Sequence, residues 1–203
     1  MQGEIPEQLA SHTAVSHPLE RGTMLVYGGT GAPFGLTTSN SIASCKLDTA
    51  VWRKVPVSDN QLPDPLYGQA VVVDKENGMF YTVGGTSGFH YYMDVHRLDL
   101  TQTPPKWTKL FNQQPGDENE PRARYRHELC LYDNKIFVLG GGTSFMAERF
   151  DFLPTFCLAN LTWSYTKTFP DPDATIDLGD GNGYPDKRRC HGAVQVLSSG
   201  LAV

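Results

Sequence analysis

Five arginines stand out in an acidic chain of 203 residues with a net charge of −5: Arg122, Arg124, Arg126, Arg188 and Arg189. They form two tight groups, Arg-Ala-Arg-Tyr-Arg at 122–126 and Arg-Arg at 188–189. A guanidinium offers its N–H donors as a planar fork that matches the two oxygens of a carboxylate. These groups are therefore suited to hold a carboxylate such as the free end of a peptide. Ser87, Thr143 and Ser144 carry hydroxyls that can add hydrogen bonds, while Tyr67, Tyr125 and Phe89 can pack the apolar part of a peptide end. With Arg124, Arg126, Arg188 and Arg189 they make up the candidate peptide-binding set. The same arginines can instead hold structure together by pairing with Asp or Glu of a neighbouring element. Glu128 is close in sequence, and the residues alone leave both readings open.

Other chemistries find less support. Gly29-Thr30-Gly31 opens no helix, as a phosphate-binding loop would require. Asp180-Gly181-Asn182-Gly183 resembles a calcium turn, but basic residues and His191 stand where an EF-hand needs its closing acid. No Ser/His/Asp set and no metal-ligand cluster emerges at a defensible spacing, so no catalytic residue, metal or other cofactor is expected. Asn160-Leu161-Thr162 matches a glycosylation sequon with no further sign of secretion. The acidic balance argues against general nucleic-acid binding, which needs cations to neutralise phosphates. No apolar run approaches the roughly 20 residues of a membrane span, and the N-terminus does not resemble a signal peptide, so no membrane association is expected. Cys45, Cys130, Cys157 and Cys190 form no Cys-x-x-Cys pair and fit reduced thiols in a cytoplasmic or nuclear setting.

The elements that must position the arginines are legible in residues 122–142, RARYRHELCLYDNKIFVLGGG. Alternating residues lead to a turn at Asp133-Asn134-Lys135, and the apolar run Ile136-Phe137-Val138-Leu139 then stops on three glycines. That is the pattern of a β-hairpin. The hairpin recurs. Gly-Gly pairs at 28–29, 84–85 and 140–141 are 56 residues apart in each case, and a tryptophan follows each pair, at Trp52, Trp107 and Trp163. A comparable strand start precedes each pair, at residues 11–15, 67–71 and 126–130, and a fourth start stands at 190–194. Repeats near 50 residues with this punctuation indicate a β-propeller. Strands are expected near 11–17, 23–28, 41–48 and 51–55, then 67–73, 79–84, 92–100 and 106–111, then 126–132, 135–140, 153–158 and 162–168. The fold class is thus all-β: three four-stranded blades at 11–55, 67–111 and 126–168, with the start of a fourth at 189–203. Residues 1–10 read as a polar connection, and 112–122 and 170–187 as surface loops.

Antiparallel order places the start of the first strand and the exit from the second at the same end of a blade. Tyr67, residues 124–126 and residues 188–189 should therefore share one rim with the loops 86–91 and 142–146. His127 and His191 recur at one repeat position, which a repeated packing need between blades explains better than a unique ligand. The three tryptophans read as core or blade-edge residues.

The Gly-Gly pair, the Leu-Asp before a turn and the tryptophan resemble the kelch repeat. The strings GGTGAPFG (28–35), YGQA (67–70), GGTSGFHYYMDVHRLDL (84–100), RYRHE (124–128), GGGTS (140–144) and RRCH (188–191) are similar to one branch of it. That branch comprises kelch substrate receptors of cullin-2 RING ubiquitin ligases. The resemblance implies a six-bladed propeller, of which these residues would be about half. It also implies a non-catalytic receptor that grips the extreme C-terminus of substrate proteins, often glycine or alanine. Partners implied with it are elongins B and C and cullin-2, bound through a C-terminal box absent from these residues. Two other classes stay open: a kelch scaffold for a phosphatase, signalling or cytoskeletal partner, and a propeller enzyme. A half-propeller by itself is expected to leave open strand edges and an uncovered blade face.

Overall fold

The computed structural model describes residues 2–7, 9–58, 61–114, 117, 120–170, 183–196 and 200–202. Gly116, Val203 and residues 180–182 of the calcium-like turn lie outside the described residues. All regular structure among the described residues is β.

Three sheets follow the chain in order. The first contains β2 (Thr13–Ser16), β3 (Thr23–Tyr27), β4 (Ile42–Lys46) and β5 (Val51–Lys54). The second contains β6 (Ala70–Asp74), β7 (Met79–Thr86), β8 (Tyr91–Asp99) and β9 (Lys106–Phe111). The third contains β10 (Glu128–Tyr132), β11 (Lys135–Leu139), β12 (Phe152–Cys157) and β13 (Thr162–Lys167). In each, the four strands pair antiparallel in sequence order, the blade pattern expected from the repeat. A final hairpin, β14 (Val194–Val196) with β15 (Gly200–Ala202), stands where the fourth blade was expected to begin. The polar N-terminus is not merely a connection, because β1 (Gln2–Gly3) adds to the outer edge of the first sheet, parallel to β5.

The core lies between sheets, and the two-residue period of a strand explains why. In β6, Ala70 and Val72 face the third sheet while Val71 and Val73 face the first. In β11, Ile136 and Val138 face the second sheet while Phe137 and Leu139 join Phe150, Leu153 and Ala193 on the other side. Strands buried on both faces read as continuous apolar runs. Two of the tryptophans follow the same logic. Trp107, wholly buried, packs against Tyr27 and Phe80 between sheets one and two, and Trp163 packs against Phe111 and Phe156 between sheets two and three. Trp52 is half-buried.

Local turn chemistry closes the hairpins. Asp133 and Asn134 both adopt positive φ, at 48° and 54°, between the paired residues Tyr132 and Lys135. This is the type I′ geometry whose twist suits a two-residue hairpin. The first strands begin two or three residues later than expected, at Thr13, Ala70 and Glu128. The residues before them are tied to neighbouring blades, which takes them out of their own ladder.

Candidate functional site

Three consecutive positions precede the first strand of each repeat. The first is occupied by Ala10, Tyr67, Tyr125 and Arg189. Ala10 bridges to Thr30, Tyr67 to Thr86 and Tyr125 to Gly142, the residue that follows each glycine pair. Arg189 donates from its guanidinium to the Thr143 carbonyl. In the first three repeats this position binds the strand start to the loop of its own blade, whereas Arg189 reaches the loop of the preceding blade.

The second position, Ser11, Gly68, Arg126 and Cys190, is left-handed in every repeat, with φ of 53°, 65°, 54° and 59°. The Gly68 amide donates to the Ser11 carbonyl at 2.8 Å, that of Arg126 to Gly68 at 2.6 Å and that of Cys190 to Arg126 at 3.1 Å. A backbone seam thus joins the blade starts.

At the third position, Gln69, His127 and His191 serve packing between blades, whereas His12 is exposed, its Nδ1 3.1 Å from the Leu9 carbonyl oxygen. Gln69 lies against Gly28, the His127 ring against Gly84 and the His191 ring against Gly140, each on the first glycine of the preceding blade's pair. Burial, with Arg124 adding, holds the His127 imidazole down at about 3, and burial holds His96 down at about 4. Both rings are therefore neutral in the folded protein at neutral pH. Since the unfolded value is near 6.5, the unfolded chain binds more protons below it, and stability falls as pH drops through that window. Each ring should cost about 2 kcal/mol between pH 7 and pH 5. Glu128, which burial pushes up to about 7, acts in the opposite sense across that range. His127→Gln installs the residue that the second blade carries at this position. Against its parent, this variant should gain about 2 kcal/mol in relative stability between pH 7 and pH 5 in denaturant titrations. A pH-independent difference would refute the neutral buried ring.

At the rim, aromatic side chains from different blades meet. The Phe34 and Tyr67 rings lie 5.3 Å apart, Tyr67 and Tyr125 6.3 Å, and Tyr125 and Tyr91 5.3 Å. The Arg126 guanidinium sits 5.2 Å over the Tyr125 ring. Its Nη1 approaches Cys190 Sγ at 3.0 Å and its Nη2 donates to Ser11 Oγ at 3.1 Å, so it reaches across from the third blade to the first and fourth. Burial and the Tyr125 and Tyr91 phenols push the Tyr67 phenol up, while Arg126 pulls it down. Tyr91 Oη lies 2.6 Å from Ser144 Oγ and accepts from the Ser144 amide at 2.9 Å.

Among the described residues, none of the five arginines has a carboxylate within ion-pair distance, although four Lys or Arg pairs form elsewhere. The arginines nevertheless differ. Arg124 is buried, donating from Nε to the Arg122 carbonyl and from Nη1 to the Gly140 carbonyl, both at 3.1 Å. Its backbone bonds Gly85 and Tyr92 of the second blade while its guanidinium is taken up by those two carbonyls. Arg188 is half-buried, its Nε donating to the Asp186 carbonyl at 3.0 Å and its own carbonyl accepting from Gly141. Arg126 and Arg189 stand with the rim groups. Ser87 and Thr143 use their hydroxyls within their own loops, accepting from the amides of His90 and Phe145. Phe89 is 76 % exposed.

The structure thus gathers Tyr67, Tyr125, Arg126, Ser144 and Arg189. It adds three residues the sequence reading passed over, Phe34, Ser11 and Cys190, and it engages Tyr91 from the loop 86–91 that was expected at the rim. Aligning the three leading positions of each repeat would have found Ser11 and Cys190 beside Arg126. Hollow size does not single out this rim, because a cleft of about 330 Å³ lies between Arg149–Asp151 and residues 184–187. A hollow of about 910 Å³ also lies at the opposite ends of the first strands, by Val15, Val72 and Leu131. The rim is distinguished by its rings and by arginines with no carboxylate partner among the described residues.

Residues 1–178 match the family model described as the KLHDC2/KLHL20/DRC7 Kelch-repeats domain. The chain is 40 % identical over 202 residues to the kelch domain-containing protein 10 homolog of Drosophila melanogaster, covering 96 % of this chain and 31 % of that protein. It is 36 % identical over 195 residues to kelch domain-containing protein 10 of Xenopus laevis, covering 96 % and 43 %. Against the Homo sapiens protein of the same name it is 34 % identical over 196 residues, covering 96 % and 40 %. The chain spans less than half the length of these relatives.

Proposed function

The chain belongs to the KLHDC2/KLHL20/DRC7 kelch-repeat family, a protein-interaction propeller, and from that premise we propose that it reads the C-terminal carboxylate of its partners as substrate receptor of a cullin-RING ubiquitin ligase. Its role in that reading is recognition without chemistry of its own. Elongins B and C and cullin-2 would bind elsewhere in the full-length protein, in the cytoplasm or nucleus.

One observation carries the reading. Arg126 occupies a left-handed backbone position, φ 54°, that the second blade fills with Gly68. An L-residue there costs roughly 1 kcal/mol or more. Its guanidinium touches a thiol, a hydroxyl and a ring, with no carboxylate among the described residues to neutralise it. A cation held in a conformation glycine would adopt more readily, facing aromatic rings, is suited to an anion supplied from outside. The aromatic wall would exclude water from that ion pair and strengthen it.

The test is binding of one peptide in two forms to the full-length protein. Ending in a free acid it should bind, and ending in an amide it should lose at least tenfold in affinity. Equal affinity for both forms would favour a scaffold gripping an internal segment.

A further inference from the structure

Each of the three loops above the glycine pairs presents a phenylalanine to solvent. Phe34, Phe89 and Phe145 are 55 %, 76 % and 97 % exposed. They recur at the same place in the repeat, Phe34 six residues past the first glycine of its pair and the other two five residues past theirs. A single exposed apolar side chain needs no explanation, whereas a contiguous set marks an interaction surface.

The loops are contiguous. Gly88, beside Phe89, lies so close to the Gly35 carbonyl, beside Phe34, that a Cβ there would meet it at 2.4 Å. Ser144, beside Phe145, is bonded to Tyr91 at the end of the second loop. The set is also uncharged: residues 28–45, 83–93 and 138–147 contain no Asp, Glu, Lys or Arg. Exposed Leu36 and Met146 extend it. It continues into the rim site, since the Phe34 ring meets Tyr67 and Ser144 joins the Tyr91–Tyr125 row that carries Arg126.

We propose that Phe34, Phe89 and Phe145 form an apolar collar that receives a Leu, Ile, Met or Phe side chain upstream of the peptide end, a reading that rests on the terminal-carboxylate function above. The occupant follows from continuity and charge. A peptide leaving Arg126 along the aromatic row meets surface with rings and no ions, which a charged segment would have to lose hydration to approach. The path steps 5.2 Å from the guanidinium to the Tyr125 ring, 5.3 Å on to the Tyr91 ring and then through the Tyr91 hydroxyl to Ser144, a run that several extended residues of about 3.3 Å each would follow. The apolar residue should therefore lie that far from the terminus.

The test uses the full-length protein and two displayed libraries of random peptides, one with free C-termini and one whose termini are fused to a carrier protein. Peptides selected with free ends should be enriched in Leu, Ile, Met or Phe near the fifth position from the end. Phe89→Ser and Phe145→Ser should erase that enrichment, keep the preference at the terminal residues and weaken the selected peptides about tenfold each. Both rings are exposed, so the melting temperature should not move. Unchanged upstream composition in the variants overturns the collar and leaves the carboxylate reading standing. A phenylalanine-dependent apolar motif from the fused library overturns the carboxylate reading and leaves an apolar docking surface. Failure of both libraries overturns both. Loss of self-association, or of binding to phosphatidylcholine vesicles, as the sole effect of Phe145→Ser would assign the collar to a second copy or to a lipid surface and refute a peptide occupant.

Discussion

Gly140→Val should cost the protein about 3 kcal/mol or more of stability, and Gly84→Val a similar amount. Two separate penalties add at these positions. The backbone is left-handed, with φ of 57° at Gly140 and 64° at Gly84, which a β-branched residue resists. Space is also missing. A Cβ on Gly140 would stand 2.7 Å from both the Arg188 carbonyl oxygen and His191 Cε1, and one on Gly84 2.8 Å from His127 Cε1 and 3.0 Å from the Arg124 carbonyl oxygen. The obstructing atoms belong to the next blade, so relief would mean opening the interface between blades. Two controls separate the penalties. Gly22 is left-handed at 71° with nothing within 4 Å of a new Cβ, so Gly22→Val should show the conformational cost alone, about 1–2 kcal/mol. Gly192 is not left-handed and is equally open, so Gly192→Ala should stay within about 0.5 kcal/mol. Denaturant midpoints of the full-length protein measure all four. If Gly140→Val costs no more than Gly22→Val, the glycine pair does not hold blades together.

Arg126→Gly should weaken binding of a free-acid peptide by roughly 10- to 100-fold, since a hydrogen bond to a charged group contributes about 1.5–3 kcal/mol and about 1.4 kcal/mol is a factor of ten. Glycine is the residue of the second blade at this position, so the backbone seam survives and the left-handed strain is relieved. The fold should be at least as stable as before. Arg189→Ala should act in the same direction. Both losses should shrink against the amidated peptide, because the partner charge is then gone. Arg149, exposed and paired with Asp151 at 3.2 Å, should give no change when replaced by alanine. Arg124→Met should lower stability through the orphaned Gly140 carbonyl and should not discriminate acid from amide. An Arg126→Gly penalty equal for both peptides would mean that the guanidinium only ties Ser11 to Cys190, and the carboxylate reading would fall.

The repeat and nearly all of its strands were legible in the chain itself. Glycine pairs at constant spacing, a tryptophan after each and apolar runs of strand length are local signals, and the forces behind them, turn conformation and two-sided burial, act over a few residues. The fates of the arginines were not local. Arg122, Arg124 and Arg126 alternate along a segment that reads as extended, which would put all three on one side. The left-handed turn at Arg126 breaks that alternation, leaving Arg124 buried on the Arg122 and Gly140 carbonyls and Arg126 among Ser11, Cys190 and the Tyr125 ring. The turn exists because the Arg126 amide must reach the Gly68 carbonyl of the previous blade, a bond between residues 58 positions apart. Likewise the loop 86–91 was expected at the rim, but the contacts of Tyr91 with Tyr125 and Ser144, on a different blade, were not legible. The sequence by itself determined the blade, because a blade is built from neighbours in the chain. Only the tertiary structure decided which side chains share the rim, because the rim is built from residues that meet across blades.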